Sequence, residues 1–527
     1  MPVRDRVLIL FCGFTAGMLL LDLHKISIAI PSIDAALDPG PVRLQLVSAA
    51  YVVLFAVTLV PAGRLGDHGW RRRLALIGLY GYLVSSVVCT IAPNADTVIV
   101  GRALLGVSAG LLMPQMMGIV QGRFTGPARA RAFGVYGVCV ACATALGPSV
   151  GGLFLLPGMF GWRGVFAMNL PVGLVLVLAA HLLLSAVDQP RPTRRRPDLD
   201  HGGVVLLSGA LVGFLLPVVL TTGRPVDSPG RWLLLVPAAA LATTFVLRTR
   251  TRAAAGRSPL ISPALLALPS FRNGVLISAT WFAAVPGASL ALTIYLQQVE
   301  HLSPLLAGLV LLPAAVGSAV GADIGGRTVT RWGRRLTALG MTLTLLAMAA
   351  VVVLLHGDLP GTALLAAVSA LQLVSGVGTG MVVSPNHAQM LADVPPAQGS
   401  AAGAVGQLGQ RVANSFGVAA ASVAYFTVIY GGGWSVSDAP PAAHLGATLR
   451  ATAVAMCFLL ASLAVALVDL RRQRAGDAGR AALAIRGDRP AGRAGQAGQA
   501  AIAEAGTDRI STSRTVSTAG RMRQPSR

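Results

Sequence analysis

Apolar blocks of about 20 residues recur along the chain from its start to about residue 470, divided by short polar or arginine-bearing stretches. A helix of that length crosses a hydrocarbon core of about 30 Å. Block length and low charge predict spans at 7–29, 44–63, 74–93, 97–120, 132–156, 164–187, 202–222, 232–248, 273–296, 305–325, 336–356, 362–385, 402–429 and 448–470, roughly fourteen in all. The block at 232–248 is short. The first block is too long for a secretory signal, lacks a small-residue cleavage site and is followed by many of its kind, so it is expected to stay as span one.

Composition changes the picture little. Of 527 residues, 54% are hydrophobic and 12% charged, with a mean hydropathy of +0.69. Soluble domains carry about 25% charged residues. A chain of soluble domains is excluded, and the predicted class is an all-α polytopic membrane protein. Cys12, Cys89, Cys139, Cys142 and Cys457 all fall inside apolar blocks. Cys139 and Cys142 form a CxxC, but no second ligand pair lies nearby. They read as small residues on a helix surface, with no metal and no redox role.

Arginine placement orients the spans. Arg64 and Arg71 to Arg73, then Arg123, Arg129 and Arg131, then Arg191 and Arg194 to Arg196, follow spans two, four and six. Arg248, Arg250, Arg252 and Arg257 follow span eight, and Arg327, Arg331, Arg334 and Arg335 follow span ten. The alternate loops hold only Arg43, Arg163, Arg224 and Arg231. Excess positive charge marks the cytoplasmic side, so both termini are expected there, in the inner (cytoplasmic) membrane. The loop LADVPPAQGS after span twelve carries no positive charge and is an exception. Residues 471–527 differ: twelve Arg against four acids, with much Ala, Gly, Ser and Gln. Such a segment cannot bury enough apolar surface to fold and is expected to be a disordered basic tail on anionic lipid. No aromatic platform or recognition fold accompanies it, so no nucleic-acid partner is expected.

Two loops repeat. GRLGDHGWRRRL runs from Gly63 to Leu74, and GRTVTRWGRRL from Gly326 to Leu336. They lie eight spans apart, where two tandem six-helix halves alone would put six. Two helices inserted between the halves, spans seven and eight, explain the spacing. The expected organisation is therefore an N-terminal half at 1–187, a linker with two extra helices at 188–257, a C-terminal half at 258–470 and the tail. Internal repeats of this kind mark rocking transporters.

On these residues the chain resembles the fourteen-span drug:proton antiporter branch of the major facilitator superfamily, over about residues 10–470. The first loop is similar to motif A through Gly63, Leu65, Asp67, Arg71 and Arg72, with Trp70 where the family has Gly and Gly69 just before it. The resemblance implies that Asp67 latches an inner gate by pairing with basic groups and helix ends. Asp323 at the inner end of span ten, pairing with Arg327, and Arg331 of the second loop are the expected counterpart. Span four resembles motif B through Arg102 and Gly106, followed by Gly110, Pro114 and Gln115, with Leu105 replacing a family Gln. An intramembrane arginine must face protein or water rather than acyl chains. Span five resembles motif C, the antiporter motif associated with exporters, through Gly134, Gly147, Pro148, Gly151 and Gly152. Small residues at this spacing let helices approach closely. GWRGVFAMNLPVG (Gly161 to Gly173) and YLQQVEHLSPLLAGLVLLP (Tyr295 to Pro313) resemble the branch's entry to span six and its junction of spans nine and ten.

Span one holds LLLDLHKISIAIP, from Leu19 to Pro31, whose Asp22 and Pro31 match the branch's span-one motif. Lys25 is the only lysine in the sequence. Asp22 and Lys25 are three apart and share a helix face. Such charges must meet one another or a central cavity, and intramembrane ionisable groups are functional by default. Asp22 is the expected proton carrier, with Lys25 as its charge partner or as a contact for an anionic substrate; a static ion pair fixing helix packing is the alternative. In the second half, Asn386, His387 and Gln389 end span twelve, and Gln407, Gln410, Arg411 and Asn414 lie in span thirteen. Asn386, Gln407, Arg411 and Asn414 join the cavity candidates with Arg102 and Gln115; His24 and His387 are expected to have solvent or backbone partners.

No GxxxxGK[ST] loop appears, so ATP is not the expected drive. No clustered nucleophile–base set or folded soluble domain points to an enzyme or sensor. The expected function is proton-coupled efflux of a small organic solute by alternating access, by a monomer without cofactor. A proton-coupled importer on the same fold is the rival, against which motif C argues.

Overall fold

Backbone N–H and C=O groups inside hydrocarbon have no water to bond, so segments this apolar form helices, which satisfy those groups internally. The computed structural model describes residues 2–155, 160–185, 200–219, 229–357 and 359–487, and the ordered elements are helical. The first half comprises α1 (Val3–Leu37), α2 (Gly40–Leu65), α3 (Arg71–Thr90), α4 (Ala95–Arg123), α5 (Gly126–Phe154), the short α6 (Gly161–Ala167) and α7 (Asn169–Leu184). Two further helices follow, α8 (His201–Val219) and α9 (Leu235–Ala254), on predicted spans seven and eight. The second half comprises α10 (Pro263–Ala267), α11 (Pro269–Gln298), α12 (Pro304–Leu311), α13 (Pro313–Trp332), α14 (Arg334–Leu354), α15 (Gly361–Met390), α16 (Gly399–Gly431) and α17 (Pro441–Gly487). The predicted loop residues Arg191, Arg194, Arg195, Arg196 and Arg224, the side chain of Pro148, and the tail from 488 onward lie outside the described residues.

Among the described residues, twelve segments are long and apolar enough to cross a membrane. One of them, Val42–Thr90, is 49 residues long and contains both α2 and α3. As one helix it would reach about 74 Å, more than twice a bilayer core. It is broken at His68 and Gly69, where Gly69 takes φ +90°, a left-handed conformation that glycine adopts without steric cost. The turn after α2 thus rests on Gly69, and the bulky Trp70 that follows stays at the surface with the Arg73 guanidinium 5.3 Å over its ring.

Residues Met1–Leu470 form one compact unit; Arg471–Arg527 form a second, of which the helical stretch to Gly487 is described. Within the first half α2 packs on α4, α1 on α5, and α3 on α4 and α7. Within the second, α13 and α14 pack on α15, and α11 on α16. The halves meet along α5 with α13 and α15, and along α16 with α2 and α4. At one crossing a Cβ built on Gly134 would lie 2.9 Å from the Cα of Gly326, so α5 and α13 touch backbone to backbone. The pair α8–α9 is closed by Asp200, whose Oδ1 accepts from Gly203 N at 3.0 Å and Arg248 Nε at 2.9 Å. Through α8 this pair lies against α2 and α16, one helix from each half.

Candidate functional site

Five helices deliver one buried polar cluster. Asp22 and Lys25 of α1, on one face as their spacing requires, form an ion pair at 2.8 Å with both side chains 0% exposed. Arg102 of α4 donates from NH1 to the other carboxylate oxygen at 2.9 Å, and from Nε to the carbonyl of Val47 at 3.1 Å. Its guanidinium lies 4.5 Å over the Tyr51 ring, and the Tyr51 hydroxyl donates to the Leu19 carbonyl. Asn169, the first residue of α7, closes the ring. Its Oδ1 accepts from Lys25 at 2.5 Å, and its Nδ2 donates to Asp22 at 3.0 Å and to Ser86 Oγ of α3 at 3.1 Å.

The cluster lies within the first half. Asp22 and Lys25 meet one another rather than opening onto solvent. One carboxylate faces two cations, so the cluster holds a net positive charge with no solvent contact. Removing one member of such a buried pair costs about 3–5 kcal/mol, because the other charge is left uncompensated. Motif C packs beside it: a Cβ on Gly147 would come within 2.9 Å of the His24 Cβ, and one on Gly151 within 2.9 Å of the Lys25 carbonyl. Gly152 has open space around it. The glycines at 147 and 151 therefore let α5 seat against the turn of α1 that carries Lys25.

A second cluster joins the two halves at the arginine-rich end of the bundle. Asp67 accepts from the backbone N–H groups of Ser400 at 2.9 Å and Ala401 at 2.8 Å, in the first turn of α16. A carboxylate there is favoured by the unsatisfied N–H groups and the macrodipole of α16. Arg71 bonds Asp67 at 3.1 Å and reaches Ser400 Oγ at 3.0 Å. Gly63 allows this contact, since a Cβ there would meet the Ser400 carbonyl at 2.7 Å. Leu65 and Arg72 are half-buried beside it. Gln121 adds bonds from Nε2 to the Leu391 and Val394 carbonyls at 2.8 and 3.1 Å, and Arg129 one to Ala392.

Several predicted residues take other places. Gln115 is fully buried, and its Nε2 donates to the Ala62 carbonyl, bracing the end of α2. Asp323 and Arg327 pair with each other at 2.9 Å on the surface, 50% and 72% exposed, and Arg331 is exposed too. That surface pair faces away from the first half because α13 turns its small residues, Gly321, Ala322, Gly325 and Gly326, inward. The buried ion pair of the second half is instead Arg334–Asp469, at 2.7 Å. Asn273 donates to the same Asp469 at 2.7 Å, and Arg334 to Asn386 Oδ1 at 2.6 Å, while Asn386 Nδ2 donates to the Gly274 carbonyl and to Ser278 Oγ. His387 bonds the Val383 carbonyl through Nδ1 and faces Gln410 through Nε2. Neither Arg334 nor Asp469 carries a sequence signal for burial, because each lies at the edge of a predicted span, where an end-of-helix charge reads as interfacial.

Gln407 and Arg411 of α16 face the first half. Gln407 Nε2 lies 3.7 Å from Met117 Sδ, and the Arg411 guanidinium is 5.3 Å from the Phe55 ring centroid of α2. Arg411 is 5% exposed, and its Nε has no acceptor among the described residues. A cation–π contact returns about 0.5–2 kcal/mol, less than the several kcal/mol that desolvating a cation costs. Asn414, one turn on, is half-buried.

The chain matches the Major Facilitator Superfamily over residues 7–418. It is 31% identical over 481 residues to the puromycin resistance protein pur8 of Streptomyces alboniger, covering 88% of this chain and 92% of that one. It is 30% identical over 419 residues to a probable actinorhodin transporter of Streptomyces coelicolor, covering 78% and 70% of the two chains. Among solved structures, the human organic anion transporter MFSD10 aligns with a TM-score of 0.55 at 18% identity, over 88% of this chain and 100% of that one, a likeness of fold alone.

Proposed function

The chain belongs to the major facilitator superfamily, and from that premise we propose that it exports a small organic solute in exchange for protons. Relatives named for antibiotic resistance and transport over most of their length support export, as do the glycines of motif C seated against α1. We read fourteen spans: the twelve apolar segments, with Val42–Thr90 counted as two, and α5. The arginine-rich end faces the cytoplasm of a bacterial inner membrane, with both termini there and a monomer as the working unit. The organisation is two six-span halves at 1–187 and 258–470, with the inserted pair at 188–257.

One observation carries the mechanism: Asp22, fully buried, is shared by Lys25, Arg102 and Asn169. The bonds from Asp67, Gln121 and Arg129 across the cytoplasmic ends are those of a conformer closed to the cytoplasm. In it Asp22 is ionised and holds two cations. A proton taken from outside neutralises the carboxylate and releases Arg102 and Lys25. The released positive charge then favours the rearrangement of α1 and α4 that undoes the cytoplasmic latch. Release of the proton to the cytoplasm restores the cluster, and the solute leaves on the return stroke.

A drug-susceptible host expressing wild type or Asp22→Asn, challenged with a panel of antibiotics and dyes, tests this. Resistance conferred by wild type is expected to vanish in the variant at equal membrane abundance. Full resistance in Asp22→Asn would remove that residue from coupling. Solute movement in proteoliposomes that ignores an imposed pH gradient would remove the proton.

A further inference from the structure

Five cationic side chains are buried within the described bundle: Lys25, Arg71, Arg102, Arg334 and Arg411. The first four each have a carboxylate within salt-bridge distance, from Asp22, Asp67, Asp22 again and Asp469. Among the described residues Arg411 has none. It stands on α16 and faces the other half, with its guanidinium 5.3 Å from the Phe55 ring centroid of α2. Among the described residues its Nε has no acceptor, and Oε1 of Gln407, one turn away on the same face, has no donor. A cation held this way, where α16 faces α2, has no counter-charge among the described residues.

We infer that the exported solute is an aromatic anion, a carboxylate or an ionised phenol on a ring system, and that Arg411 is its counter-charge. The proposal rests on the efflux reading and names its substrate class. A planar guanidinium matches a carboxylate with two parallel hydrogen bonds, and the Phe55 ring beside Arg411 favours an aromatic solute. The anion would take the acceptor role that Arg411 Nε lacks and lower the cost of keeping that charge out of water. A cationic solute would meet a like charge at the same point. Lys25 does not serve this role, because Asp22 and Asn169 already occupy it and it is 0% exposed. The inside-negative membrane potential also drives an anion outward, the direction of export.

Full-length protein in lipid nanodiscs, titrated with fluorescent 2-anthracenecarboxylate, its methyl ester and the corresponding aminomethyl cation, tests this. The carboxylate is expected to bind at least about tenfold tighter than either of the others. Arg411→Gln is expected to remove that preference, and Arg411→Lys to keep part of it, with thermal unfolding of each variant checked against wild type. Equal or tighter binding of the cation, a preference that survives Arg411→Gln, or no binding of any of the three would overturn the assignment. Proteoliposome flux separates it from the reading it rests on. Arg411-dependent binding of the carboxylate without proton-driven export would refute efflux and leave the anion site standing. Proton-driven export of the cation alone would do the reverse.

Discussion

Removing the Asp67 carboxylate is expected to open the cytoplasmic side of the protein. In the closed conformer this group accepts two backbone N–H bonds from the first turn of α16, at 2.9 and 2.8 Å, and a third bond from Arg71. Arg71 is its neighbour one helical turn along the same chain segment, so that pairing persists whichever way the halves rock. The two bonds to α16 exist only when the halves meet. Hydrogen bonds to a charged group are worth about 1.5–3 kcal/mol each net of water. Two at the lower figure give about 3 kcal/mol of preference for closure, or roughly 100-fold in the open–closed equilibrium. Asp67→Ala forfeits all of it; Asp67→Asn keeps one acceptor and should fall between. Spin labels on Arg73→Cys and Ala397→Cys, both exposed and on opposite sides of the contact, in a chain whose five native cysteines are replaced, report the separation by electron–electron resonance. The distance distribution should move to a longer component in Asp67→Ala and split in Asp67→Asn. A distribution that stays at the wild-type distance in Asp67→Ala would show that the latch contributes little, and the arithmetic would fail with it.

Gly134→Leu places a branched side chain where a Cβ alone would lie 2.9 Å from Gly326, so it should hold the halves apart, giving the same long-distance component without lowering expression. Arg334→Leu and Asp469→Leu should each lower thermal stability in detergent by about 3–5 kcal/mol, while the double variant loses less than either, since no buried charge is then left alone. Unequal, additive losses would mean that the pair is not coupled. Asn169→Leu removes one acceptor from Lys25 and one donor from Asp22, so proton-coupled transport should fall at least about tenfold with abundance unchanged. Unaltered transport in that variant would mean that Asn169 only packs. Gly151→Val, aimed at the Lys25 carbonyl, should impair transport more than Gly152→Val, which points into open space; equal effects would count against the role given to that contact.

What the sequence makes legible depends on distance along the chain. The meeting of Asp22 and Lys25 follows from their spacing of three, and that Arg102 faces protein follows from its depth in an apolar span. That Arg102 takes the same carboxylate, 80 positions away, needs the packing of α1 against α4. Asn169 carried a signal, a lone amide at the start of an apolar segment inside a recognisable stretch, but its partners lie 144 and 147 positions back. Arg334 and Asp469 escaped because a charge near a span boundary has two physical solutions, outward to the interface or inward to a partner, and the pattern does not choose between them. Asp323 and Arg327 show the converse: an i,i+4 pair forms locally whatever lies nearby, so their spacing foretold the bond and not which way it faces.

The bare crossing of α5 and α13 at Gly134 and Gly326 has a kinetic meaning. Where helices interlock through side chains, tilting one against the other forces rotamers to change and builds a barrier at every step. Here main chain meets main chain with no side chain between them, so this crossing has no rotamers to disengage and adds little friction of its own. The pace of each cycle then falls to the polar fastenings at the bundle's end, and altering their strength should speed or slow turnover.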